Sequence, residues 1–159
     1  MLIEIKHILT NEIIVSGDYE NIIEACQKNK DKLAFADLER AHLERANLEH
    51  ANLEHAHLER AHLEFAHLEH VNLERAHLEH ANLNWQSHQL LSQILLNNSG
   101  DNLQKIQFAG LVRISFQLNW CWDDFKKLEL PQKIKQWAIE VFKKYPNYPD
   151  ILNEIEMNN

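Results

Sequence analysis

Nine of the eleven histidines in this 159-residue chain fall between residues 36 and 85, interleaved with nine glutamates. Imidazole beside carboxylate is a donor set that suits zinc or nickel. The same residues form a surface whose charge changes as free imidazole titrates near about 6.5. A dense run of carboxylates is also a polyanion of the kind that a DNA-binding protein recognises. Spacing decides which of these chemistries is reachable. Glu39, Glu44, Glu49, Glu54, Glu59, Glu64, Glu69, Glu74 and Glu79 recur every five residues, and His42, His57, His62, His67 and His77 each stand directly before a leucine.

The element that must position them is a five-residue unit, Ala-X-Leu-Glu-X, repeated ten times from Ala36 to Trp85 with leucine always third, alanine first except at Val71 and glutamate fourth except at Asn84. Its residues are good helix formers, but on a helix leucines five apart step by about 140° and leave no apolar stripe. A coiled coil needs a 3.5-residue repeat. In a straight strand an odd period turns the apolar face over at every repeat. A chain that turns a corner every five residues satisfies the pattern: Ala and Leu point inward on each side, and four sides close a coil of twenty residues.

The tandem Ala-(Asp/Asn/His)-Leu-Glu-X units resemble the pentapeptide-repeat family, whose motif is Ala-(Asp/Asn)-Leu-X-X. The resemblance implies a right-handed quadrilateral β-helix, here of about two and a half coils, with Asp31 to Phe35 as a degraded eleventh unit. His before leucine departs from the motif in five units. A short Asp or Asn side chain can bond its own turn, which imidazole does less well.

Stacking at a twenty-residue step places the leucines in columns such as Leu38-Leu58-Leu78, each leucine worth roughly 1.5–3 kcal/mol when buried. Outside, it places Glu39-Glu59-Glu79, Glu44-Glu64, Glu49-Glu69 and Glu54-Glu74 in columns as the candidate partner-binding face. Like charges at strand spacing repel unless Arg and His stand beside them. His42-His62, His57-His77 and His50-His70 pair as candidate pH-responsive groups; protonating all nine array histidines would carry the segment from −6 to +3. Two stacked histidines alone do not make a closed four-ligand site, so no metal and no cofactor is assigned. Phe65 and Trp85 share an outer column with Arg45 and are candidates for docking the C-terminal segment.

Charge is uneven along the chain. Residues 36–85 carry ten acidic and four basic groups, whereas 86–159 carry eight of each. An acidic array argues against direct nucleic-acid binding, since phosphate contact needs basic surface. Members of the family are known that mimic DNA toward type II topoisomerases. Two and a half coils at about 4.8 Å make a prism only about 12 Å long, which has the charge density of DNA but not the length of those rods.

The flanks read differently. Residues 1–30 are expected to form an N-terminal cap: a β-hairpin turning at Thr10-Asn11, broken by Ser16-Gly17-Asp18, then a helix from Tyr19 to Asn29. Residues 31–85 form the repeat domain and 86–159 a C-terminal helical domain. In the latter, Ser87 caps a first helix, Asp101 with Gln104 opens a second, Trp120 to Phe125 starts a third, and Pro131 is the first residue of a fourth. Both flanks resemble segments of phage-type proteins of unassigned role.

A phosphate loop and a nucleophile with a placed base are both missing, and the chain has three glycines, so no catalytic residue is assigned and no enzymatic activity is expected. Cys26 and Cys121 form no CxxC pair, and the N-terminus lacks the apolar run of a leader, so a reducing, cytoplasmic setting and no membrane are expected. The resulting expectation is a mainly β solenoid plus α, acting as a non-enzymatic interaction or scaffold module with an unidentified protein partner and an oligomer possible. A DNA mimic and a pH- or metal-responsive His-rich surface are the alternatives.

Overall fold

The computed structural model describes residues 1–114, Phe125, Lys127 and 129–157. From Ala36 to Trp85 the pairing between neighbouring segments is parallel and steps by twenty residues: Asp37 bridges His57, His42 His62, Asn47 His67, Asn52 Asn72, His57 His77 and His62 Asn82. Each bridge brings regular hydrogen bonds, as when Leu38 N–H donates to His57 O at 2.9 Å, Arg40 N–H to Glu59 O at 2.9 Å and His57 N–H to Ala36 O at 2.9 Å. The pairing is too short on each side to form extended strands, because the chain turns after every fifth residue. The result is a β-solenoid-type fold in which the only regular sheet among the described residues is the N-terminal hairpin.

The turn repeats with little variation. The N–H of residue one of each unit, from Ala36 to Ala81, donates to the leucine carbonyl three residues back at 2.9–3.4 Å. The residue just before the first position of each unit has φ between 54° and 61° at every corner from Phe35 to His80. A four-residue turn with positive φ at its third residue is the type II pattern. Leucines from Leu33 to Leu83 are at most 3% exposed, and most of the first-position alanines, with Val71, are equally buried. Two apolar side chains per corner therefore fill the interior, and Ala41 is only partly enclosed.

Both ends of the solenoid are covered, as an open coil with unpaired backbone requires. β1 (Leu2–Lys6) and β2 (Ile13–Asp18) pair antiparallel. The strand thus runs through Ser16-Gly17-Asp18 instead of breaking there, with the Tyr19 ring lying where a Gly17 side chain would stand, 3.0 Å away. β1 stops at Lys6, short of the expected turn at Thr10-Asn11, because the chain leaves the hairpin to join the solenoid: Ile8 N–H donates to Phe35 O at 2.9 Å and Asp37 N–H to Lys6 O at 2.8 Å. α1 (Ile22–Lys28) is shorter than expected because Asn21 is its N-cap, accepting from Glu24 N–H at 3.0 Å. Lys30 follows in a short 3₁₀ turn and is joined to the first coil by its Nζ, 2.9 Å from Asn47 Oδ1, and by its carbonyl, which accepts from Asn52 N–H at 2.8 Å.

At the other end α2 (His88–Asn97) starts with Ser87 Oγ accepting from Leu90 N–H at 3.3 Å. α3 (Leu103–Ile114) is capped by Asn102, which accepts from Lys105 N–H at 3.1 Å, and not by the expected Asp101. α4 (Gln132–Phe142) begins one residue after Pro131, which is its N-cap. α5 (Ile151–Met157) is a further, unexpected helix beyond Pro146 and Pro149. The expected helix at Trp120 to Phe125 lies outside the described residues except for Phe125, which is buried 6.0 Å from the Phe108 ring. Asn97 Nδ2 donates to Ala76 O at 3.1 Å, joining α2 to the last coil. No helix among the described residues is long and apolar enough to cross a membrane.

Candidate functional site

The second position of each unit faces outward beside the glutamate two residues on, and its chemistry differs between units. Asn or Asp there closes a local turn: Asn47, Asn52 and Asn72 Oδ1 accept from the backbone N–H of Glu49, Glu54 and Glu74 at 3.2, 3.2 and 3.0 Å, and Asp37 does the same for Glu39 at 3.3 Å. Histidine instead places Nδ1 against the glutamate side chain. His42 stands 3.1 Å from Glu44, His57 3.8 Å from Glu59, His62 3.8 Å from Glu64 and His67 4.0 Å from Glu69.

The twenty-residue step then brings a second histidine to the same carboxylate. His62 Nδ1 lies 3.5 Å from Glu44, so Glu44 sits between His42 and His62. His77 Nδ1 lies 3.8 Å from Glu59, so Glu59 sits between His57 and His77. The ring centroids of His42 and His62 are 4.7 Å apart and stacked, those of His50 and His70 4.9 Å and stacked, and those of His57 and His77 4.8 Å but nearly edge-on at 60°. Burial raises the Glu44 carboxyl, but bonds from its own backbone and from His42, with the charges of His42 and His62, outweigh it and hold the carboxyl below its ordinary value.

The glutamate columns are not uniform. Glu39, Glu49, Glu69, Glu74 and Glu79 are exposed, whereas Glu44, Glu54, Glu59 and Glu64 are half-buried beneath the side chains around them. One oxygen of Glu59 and one of Glu64 are shut off from solvent without a hydrogen-bond partner. Glu79 lies near the buried Tyr145, whose hydroxyl is pushed up to about 12 by burial and by that charge.

Phe65 and Trp85 part company. Trp85 packs edge-on against Phe142 of α4 at 5.9 Å, a contact between the array and the helical segment. Phe65 does not dock: it is 68% exposed, with the Arg45 guanidinium 5.9 Å over its ring. The helical segment sits on the end of the solenoid, one coil beyond the reach of Phe65. Two features were missed in the sequence. One is the stack His7-Phe35-His55, with centroids 4.9 and 4.6 Å apart, in which the hairpin supplies a ring from a different element. The other is a groove of about 500 Å³ between residues 71–75 and Ser92, Gln93, Leu96 and Asn97 of α2. Neither has a local signature, since each joins segments distant in sequence.

The model of the family described as pentapeptide repeats (8 copies) matches residues 32–64 and 56–85, the same span that carries the bridges and corners above. No curated protein and no solved structure matches the chain. The repeat, the five-residue corner and the family match coincide on residues 32–85, and this segment of the chain is a run of pentapeptide repeats.

Proposed function

We propose that the protein is a non-enzymatic interaction module in which the solenoid, read as a right-handed quadrilateral coil of about two and a half turns, presents a rigid outer face to a protein partner. The observation that carries this reading is Phe65, a large aromatic left 68% exposed beneath Arg45 on an otherwise polar ladder. Exposed aromatic and arginine side chains at the centre of a patch are the residue types that dominate protein interfaces. The half-buried Glu44 and Glu64, one position before Arg45 and Phe65, give the surrounding face an acidic character that suits a partner with basic rim residues. A phage or mobile-element setting and a cytoplasmic location belong to the proposal and rest on the sequence readings alone.

The test is capture of partners from a lysate of the source organism by wild type, Phe65→Ala and the triple charge reversal of Glu39, Glu59 and Glu79. Loss of a captured protein with Phe65→Ala supports the aromatic face. Equal capture by wild type and Phe65→Ala sinks it. The DNA-mimic reading separates in the same experiment: duplex DNA then competes for the captured protein, and the triple reversal alone abolishes capture.

A further inference from the structure

We propose that His57, Glu59 and His77 form a binding site for a divalent transition-metal ion of the zinc type. The three side chains come from two successive levels of the ladder, and their donor atoms lie within 4.8 Å of one another. Glu59 spans the pair: its Oε2 is 3.8 Å from His57 Nδ1 and its Oε1 3.8 Å from His77 Nδ1. Both separations are too long for hydrogen bonds. Donors about 2.0–2.1 Å from a tetrahedral ion stand roughly 3.3–3.5 Å apart, so each imidazole needs to close on its carboxylate oxygen by only a few tenths of an ångström, and the three donors contract from within 4.8 Å of one another.

A second, independent observation separates this cluster from the other three-donor cluster, His42-Glu44-His62. Glu59 Oε2 is hidden from solvent and has no hydrogen-bond partner. A buried carboxylate oxygen left in that state is costly unless something positive meets it. His57 presents its Nδ1 to this oxygen and His77 presents its Nδ1 to the other oxygen of the same carboxylate, and the two rings stand at 60° to one another, leaving them free of the parallel stack seen in the other pairs. The side chains of Glu59, His57 and His77 are 27%, 36% and 48% exposed, enough for an ion to enter and for water to complete its shell. Two histidines and one carboxylate with open positions match the three-ligand form of zinc sites. The segment's charge of −6 further favours a cation.

The neighbouring cluster His42-Glu44-His62 has similar spacing but is already partnered. His42 Nδ1 donates to Glu44 at 3.1 Å, and His62 Nδ1 accepts from Asn82 Nδ2 at 3.2 Å, so the lone pair that a metal would take is engaged. The array itself supplies a substitution for testing the difference. Asn occupies the position of His57 and His77 in other units and bonds its own turn there, so His→Asn preserves the fold.

The experiment is calorimetric titration of zinc chloride into full-length protein without an affinity tag, with metal content measured after dialysis. Wild type is expected to retain one equivalent, and His77→Asn and Glu59→Gln are each expected to weaken binding by about tenfold or more. His42→Asn is expected to leave it unchanged. Circular dichroism and the thermal midpoint in chelator confirm that the variants are folded. Wild type that binds no zinc, or a folded His77→Asn that keeps the wild-type affinity, overturns the assignment. Equal losses from His77→Asn and His42→Asn overturn it too, since they would show diffuse binding along the histidine surface.

Discussion

Glu44 shows how the same side chain can be both surface charge and local structure. Its carboxyl is held below the ordinary 4.5 because backbone and imidazole donors outweigh the opposing cost of burial. A carboxyl whose folded value is depressed contributes stability that is fully present above its unfolded value and is lost as pH falls through the folded one. Carbon-detected NMR of the Glu44 side chain should therefore show a midpoint below 4.5 in wild type and a rise toward it in His42→Asn. A midpoint that does not move on losing His42 would show that the imidazole contributes nothing. The sequence placed His42 two residues before Glu44 and twenty before His62, and that much was legible. Which histidine nitrogen is already engaged depends on Asn82, a residue forty positions away from His42, and no local pattern encodes it.

The element that matters is the corner. Every fifth residue from Phe35 to His80 adopts positive φ, and in this chain those positions hold Arg, His and Phe rather than the Gly or Asn that enter this region most readily. Arg60, exposed with φ of 58°, tests the point. Arg60→Val should destabilise the fold by about 1–2 kcal/mol in chemical denaturation, because a β-branched side chain resists this conformation. Arg60→Asn should be at least as stable as wild type. A Val variant with unchanged stability would mean that the corner is not left-handed there. The five-residue period announced that a corner exists, but it did not say which residue bears the positive φ. That follows from the ladder: the N–H groups of Leu58 and Arg60 both point at the next level, to His77 O and Glu79 O, which leaves the chain only the step between Arg60 and Ala61 in which to reverse.

At the scale of the molecule, the solenoid is a stack of leucine layers closed at both ends. Leu58 belongs to the middle layer and is fully buried. Leu58→Asp should abolish the folded circular-dichroism signal, since a carboxylate has no partner inside the coil and its burial far exceeds what one layer contributes. A soluble, cooperatively unfolding Leu58→Asp protein would refute the inward assignment. By itself the sequence determined the solenoid, because a period of five with two apolar positions has no other way to bury them all. It also marked Ser87 as a helix start, because capping is a local hydrogen bond. Tertiary structure decided the rest. Trp85 found Phe142 while Phe65 stayed exposed, although both occupy the same column, because the helices cover only the last level. The hairpin edge joined the first coil through His7 and Ala36, and the glutamates divided into exposed and half-buried sets according to what stands above and below them. The repeat makes its units nearly alike in sequence, so differences between them can arise only from their neighbours at twenty residues and from the two caps.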